Sequence, residues 1–209
     1  VARAPGLSRH TPRLAAAIDR RRDARVRRYR ALGRIPEPRR ADSMNTHTSD
    51  SRVTVRNAVA EDAPFVNEAL ADTFGSTMMA VHDELLDATG DAAAVAERDG
   101  RRVGVITYRL DGTQTWEILS LAATEPGIGA GSALLDWLRA EATRQRVTRL
   151  WLVTTNENLA ALRFYQRRGF DLVRVERDAV TRARRLKPSI PLEDDGLPIR
   201  HELVLEWRL

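Results

Sequence analysis

The stretch "EPGIGAGSALLDWL", Glu125 to Leu138, constrains this chain more than any other. Gly127, Gly129 and Gly131 stand two residues apart, and apolar residues at helical spacing (Leu134, Leu135, Leu138) follow at once. Glycine weakens regular structure, so crowding it before a helix implies left-handed backbone angles or close approach to something. A helix start carries unpaired N–H groups and a partial positive charge, which suits a phosphate. Such a loop can form a concave row of N–H donors. A tight strand-to-helix turn would produce the same spacing. A Walker loop is excluded, because Ala130 stands where its lysine would be needed. A dinucleotide fingerprint would open a parallel repeat, whereas meander-like strands precede this loop.

The surrounding pattern gives the fold class. "RVTVRNA" alternates as a strand, and "EDAPFVNEALADTF" reads as a helix with acidic residues in its first turn. A second helix is expected from Met78 to Ala88. Residues 91–123 read as three strands joined at Asp99-Gly100 and Asp111-Gly112, both hairpin signals. The glycine loop then leads into a helix from about Gly131 to Arg146. "RLWLVTT" is a strand, Asn158 to Arg168 a helix, "FDLVRVER" a strand and "IRHELVLEWRL" the last strand. The sum is an α/β domain with a mixed, mainly antiparallel central sheet of about seven strands flanked by helices. The long segment "RARRLKPSIPLEDDGLPIR" either lines a pocket or is a solvated excursion.

Charge divides the chain. Residues 1–43 hold 13 Arg against 4 acidic residues, while residues 44–209 hold 21 Arg and Lys against 25 acidic ones. The basic excess thus belongs to an N-terminal arm, and the domain is expected to occupy residues 44–209. Helix signals run from Thr11 to Leu32, but the apolar positions are sparse. A solvated arm, non-native sequence upstream of Met44, and a basic arm gripping nucleic acid or an acidic partner all fit it. The domain body offers no basic face for nucleic acid. No apolar run reaches the roughly 20 residues of a membrane helix, and no signal peptide is recognised, so a cytoplasmic protein is expected. The chain has no cysteine, which excludes disulfides, thiolate metal sites and a cysteine nucleophile. The four histidines have no ligand spacing, so no metal is expected. Trp116, Trp137, Trp151 and Trp207 sit on regular elements and are expected in the core.

Two runs, "WEILSLAATEPGIGAGSALLDWL" and "RLWLVTTNENLAALRFYQRRGF", resemble the GNAT superfamily of acyl-CoA-dependent N-acyltransferases. The first resembles its Gln/Arg-x-x-Gly-x-Gly/Ala loop, whose backbone cradles the pyrophosphate of coenzyme A. The second resembles its Asn-x-x-Ala-x-x-apolar-Tyr…Gly-Phe signature at Asn158, Ala161, Phe164, Tyr165, Gly169 and Phe170. Pro126 departs from the pattern, standing where the family has Gln or Arg, and Ile128 stands where a second Arg is common. The resemblance implies an acyltransferase that uses acetyl-CoA as acyl donor and an amine-bearing acceptor, as a monomer or homodimer. It implies pyrophosphate contacts from Ile128, Gly129, Ala130, Gly131 and Ser132. Arg163, Arg167 and Arg168 either compensate for Pro126 at the phosphates or, for at least two of them, form a solvated helix face. The resemblance also implies contacts from the backbone of Leu121, Ala122 and Ala123 to the acyl group and pantetheine.

Acyl transfer from a thioester to an amine needs a base for the amine, a donor for the carbonyl oxygen and an acid for the departing thiolate. Tyr165 resembles the family's acid; the alternative is a core aromatic. Asn158 either positions the cofactor or begins the helix. Glu117 is the candidate base, sharing a strand face with Leu119 and Leu121 by simple alternation. A carboxylate on an apolar strand is costly unless paired, so a structural ion pair is its alternative. His82, expected on a helix, is the second candidate base. A non-catalytic module that senses acyl-CoA or docks a partner is the competing function.

Overall fold

The computed structural model of the protein describes residues 52–90 and 92–209. The arm of residues 1–43, its expected helix and the expected domain start at Met44 lie outside the described residues. Strand β1 (Thr54–Asn57) leads through a 3-10 turn into helix α1 (Ala63–Phe74). The hairpin β2 (Met78–Val81) and β3 (Glu84–Asp87) follows, then the meander β4 (Ala92–Arg98), β5 (Arg101–Leu110) and β6 (Thr115–Ala123). Helix α2 (Ala130–Arg144), β7 (Arg149–Thr155), α3 (Leu159–Gln166) and β8 (Asp171–Glu176) come next. The chain continues through the short α4 (Ala179–Ala183) and the small hairpin β9 (Glu193–Asp194) and β10 (Leu197–Pro198) to β11 (Glu202–Arg208).

Seven strands form the main sheet in the order β1-β4-β5-β6-β7-β11-β8. The β6–β7 pair is parallel, and the other five pairs are antiparallel. The expected mixed, mainly antiparallel sheet is therefore present. Asp99 and Gly100 make the tight β4–β5 turn, both at positive φ as a type I′ turn requires. The two sheet faces have separate cores. Leu134, Leu135, Leu138 and Ala142 of α2 pack with Ile106, Ile118, Leu150, Leu205, Tyr165 and Phe170 on one face. Val66, Ala69 and Leu70 of α1 pack with Met79, Val95, Val105 and Ala122 on the other. Trp116 and Trp151 are buried, and Trp137 and Trp207 pack against the first core, as expected.

The segment Met78 to Ala88 is corrected from helix to hairpin. Its turn residues His82 and Asp83 both adopt positive φ, 55° and 59°, and Val81 pairs with Glu84 across them. The turn carries no glycine, so the usual hairpin signal is absent from the sequence. The segment between β8 and β11 is also more ordered than an irregular loop. It braces this hairpin: Arg182 Nε donates to Asp83 Oδ1 at 2.9 Å, and Lys187 Nζ donates to the carbonyl oxygen of Met78 at 2.7 Å.

Candidate active site

The site begins where the sheet opens. The parallel pairing of β6 with β7 covers Thr115–Ile118 against Arg149–Leu152 and then stops. Beyond it, Leu119 to Ala123 keep only β5 as a partner, and Val153 to Thr155 keep only β11. A split between two parallel strands exposes one backbone edge of Leu121, Ala122 and Ala123, a place where an extended ligand can find main-chain donors and acceptors. The glycine loop and the start of α2 follow β6 directly.

Gly129 is the N-cap of α2 with φ 87°, and no side chain caps the helix. A Cβ at Gly129 would meet nothing within 4 Å, so open space lies against the loop. The backbone N–H groups of Ala130, Gly131 and Ser132 belong to a first helical turn and have no intrahelical acceptor. Gly131 has a different reason to be glycine. Its φ is not positive, and a Cβ there would lie 3.3 Å from Leu121 and 3.5 Å from Phe164. The guanidinium of Arg168 stacks 3.8 Å from the Phe164 ring centroid and donates to Ser132 Oγ. It thus brings a positive charge to the first turn of α2, on the flank where Pro126 supplies none. Arg163 is exposed on α3.

Glu117 is wholly buried, and two side chains satisfy it: His82 Nε2 lies 2.6 Å from Oε1, and Arg109 Nε donates to Oε2 at 2.8 Å. The face it shares differs from simple alternation. Thr107 pairs with Ser120 and Tyr108 with Ile118, so Leu119 is an extra residue on β6. A bulge of this kind reverses the in-out parity beyond it. Glu117 therefore shares its face with Ser120 and Ala122, and Leu121 turns to the α2 core. An ionised carboxylate only accepts, so the His82 Nε2 carries the proton in this pair and Nδ1 is the basic nitrogen of the neutral ring. His82 is 28% exposed where Glu117 is 0%, so the imidazole is the reachable member. The hydrogen bond to Glu117 raises the His82 pKa above its ordinary value; burial works against this, and the charges of Glu117 and Glu202 add to it.

Tyr165 lies on α3 behind the loop, between Phe164 and Phe170 at 5.1 and 5.4 Å. Burial pushes its hydroxyl well above the ordinary phenol range. Asn158 caps α3, its Oδ1 accepting from the Ala161 N–H at 3.0 Å. The sequence reading missed three charged neighbours. Arg109 was not legible: a two-residue turn at Asp111-Gly112 would set it opposite Gln114, and the longer connection between Leu110 and Thr115 sets it opposite Glu117 instead. Glu202 and Glu157, both held above the ordinary carboxylate range chiefly by burial, have no local sequence signal. Among the described residues no group of three or more His, Asp or Glu side chains could hold a metal ion.

The sequence model of the acetyltransferase (GNAT) family matches residues 58–170, more than half of the chain. The chain belongs to the GNAT acetyltransferase family. The uncharacterized protein YdhI of Bacillus subtilis is 40% identical over 115 residues, covering 54% of this chain and 71% of YdhI. A GNAT acetyltransferase from Elizabethkingia anophelis with acetyl-CoA bound superposes with a TM-score of 0.55 at 16% identity, covering 77% of this GNAT chain and 100% of that one. The ribosomal-protein-S18-alanine N-acetyltransferase of Escherichia coli gives a TM-score of 0.54 at 16% identity, covering 75% and 94%. At these identities the structural likeness establishes the GNAT fold and leaves the acceptor to be argued from the site. No helix among the described residues is long and apolar enough to cross a membrane.

Proposed function

We propose that this GNAT protein is an N-acetyltransferase that moves the acetyl group of acetyl-CoA directly onto a primary amine. The His82–Glu117 pair beside the β6–β7 split carries this reading. A buried carboxylate fixes the imidazole tautomer and leaves Nδ1 free to accept a proton. Such a pair offers little to a module that only senses acyl-CoA.

The fit of acetyl-CoA rests on the uncapped start of α2 and the open space against Gly129. Backbone N–H groups from Ile128 to Ser132 would receive the pyrophosphate, with Arg168 beside Ser132 supplying charge. Arg163, exposed on α3, is a further candidate cation for the phosphates. The edge of Leu121, Ala122 and Ala123 would hold the pantetheine and direct the thioester into the split, and Asn158 keeps α3 in register by capping it. The acceptor amine, largely an ammonium at neutral pH, must first lose a proton to solvent, with His82 still neutral. Its nitrogen then forms a bond to the thioester carbon, the excess proton passes to Nδ1 of His82, and the bond to sulfur breaks. Glu117 stabilises the imidazolium so formed and holds the ring in place. Tyr165, kept protonated by burial, donates to the departing thiolate. Exchange with solvent returns His82 and Tyr165 to their starting states. Net, the ammonium nitrogen gives up two protons, one to solvent and one, in balance, to sulfur.

Thiol release from acetyl-CoA across a panel of amines tests the reading. Turnover should be amine-dependent, and Tyr165→Phe should slow it on the order of 10²-fold or more with coenzyme A affinity preserved. Coenzyme A binding without turnover on any amine would favour the acyl-CoA-sensing alternative.

A further inference from the structure

Glu202 opens β11 directly opposite Thr155 of β7 and Glu176 of β8. It shares the sheet face of Glu117 and Trp151, under the tip of the β2–β3 hairpin, and its charge helps to raise the His82 pKa. The residue is 5% exposed, and its carboxylate feels the charges of His82 and Arg182 without a hydrogen bond or contact ion pair to any described group. The neighbouring cations are engaged elsewhere. Arg182 holds Asp83 and the Arg177 carbonyl, Arg174 holds Glu176, and Arg109 holds Glu117. Arg184 donates to the carbonyls of Ile190, Pro191 and Ile199.

A second, independent observation lies on the other side of Thr155. The Thr155 hydroxyl donates to Glu157 Oε1 at 2.7 Å, while Glu157 Oε2 is buried without a partner. Two partly desolvated carboxylates thus flank one threonine at the end of β7, and no described cation makes a contact ion pair with Glu202. Buried carboxylates of this kind are strongly unfavourable unless a cation or donor meets them. Burial holds both above the ordinary carboxylate range, and a cation arriving beside them would act in the opposite direction.

We propose that the acceptor carries a second cationic nitrogen, received by Glu202 with support from the Thr155–Glu157 side, while its first amine meets His82. The inference rests on the amine-acylating reading of the cleft. The two nitrogens need opposite environments. The reacting amine must become neutral, and a carboxylate bonded to it would hold it protonated. Glu202 makes no bond to the His82–Glu117 pair, so it suits a nitrogen that stays charged throughout. The acceptor class is therefore an aliphatic di- or polyamine.

The test uses the full chain, α,ω-diaminoalkanes of graded length, the monoamine of each length and the matching ω-amino acids. For the best length, kcat/KM for the diamine should exceed that for the monoamine by roughly 10- to 100-fold, the range of one charge-assisted hydrogen bond. The ω-amino acid should be the poorest acceptor. In Glu202→Gln, which keeps the shape of the protonated acid, the diamine-to-monoamine ratio should fall to near one. Calorimetry of the same diamine with the coenzyme A complex supplies a readout that does not need turnover. Equal rates for diamine and monoamine in the wild type, or a preference that survives Glu202→Gln, would overturn the proposal. Glu202-dependent diamine binding with no acetyl transfer would instead leave the cation site standing and remove the acylation reading.

Discussion

Asp62 and Glu117 are both wholly buried carboxylates flanked by arginine, yet they belong to different kinds of structure. Asp62, in the turn before α1, accepts from Arg56 at 2.6 and 3.1 Å, from Arg102 and from the Val59 N–H at 2.8 Å. Two cations and a backbone donor use up its lone pairs and tie β1, β5 and the start of α1 together. Glu117 has one arginine and one imidazole, and the imidazole is partly exposed. The first arrangement has no proton to move near neutral pH. The second ends in the one side chain type whose ordinary titration lies there. Burial of a carboxylate alone says nothing of function; the identity of its partner does.

The largest expected effect falls on the Glu117 side. His82→Ala should lower kcat by 10²–10⁴-fold, the range for a lost general base. Thermal melting at alkaline pH, where the charged imidazole no longer contributes, should move little, because the ring is partly exposed and the hairpin keeps its other braces. Equal loss of rate and stability would place His82 with Asp62 as a structural group. Asp62→Asn should give the opposite result, a stability loss on the order of 2 kcal/mol by denaturant titration. Solvent screening limits the loss, because the arginine partners of Asp62 are 38% and 37% exposed. Turnover of the folded fraction should be unchanged.

Those predictions depend on residues of very unequal legibility. The meander, the glycine loop and α3 could be read because each has a local pattern: Asp99-Gly100, a glycine triplet, an Asn-to-Phe signature. The β2–β3 hairpin could not. Its positive-φ turn is built from His82 and Asp83, and "MMAVHDELLDA" has apolar spacing compatible with a helix. Local pattern also failed inside β6, where the bulge at Leu119 reverses parity without a glycine to announce it. Glu117 was legible as a carboxylate on a buried strand, whereas its partnership with His82 spans 35 residues and exists only in three dimensions. Gly131 was legible as a required glycine, but for close packing against Leu121 and Phe164 rather than for backbone angle.

Acid sharpens the comparison further. Hydrogen bonding to Arg56, ahead of its other interactions, holds Asp62 below the ordinary carboxylate range. Its contribution to stability is therefore complete above the unfolded value of about 3.9 and is lost as pH falls through the lower folded value. His82 has the opposite sign: its raised pKa adds stability below about 6.5 that fades as pH rises through the folded value. Denaturant titrations of Asp62→Asn and His82→Ala against wild type should show deficits that shrink at opposite ends of the pH range. The smallest effect is expected from Arg109→Met. Arg109 opposes the charge on His82, so its removal should shift the His82 titration slightly upward by NMR. A downward shift would mean that Arg109 acts mainly by holding Glu117 in place.

The most direct measurement is the pH dependence of kcat/KM for wild type and Glu117→Gln with the same amine. The amine's own ionisation contributes equally to both profiles, so their difference isolates the enzyme's base. For the wild type, the account predicts an acid limb centred above the ordinary histidine value of about 6.5, because His82 must be neutral to accept a proton and Glu117 holds it charged. In Glu117→Gln the limb should move down through that value, since burial then acts on His82 without its carboxylate, and the rate above the limb should fall. Superimposable limbs in the two enzymes would contradict the central claim that Glu117 acts through His82.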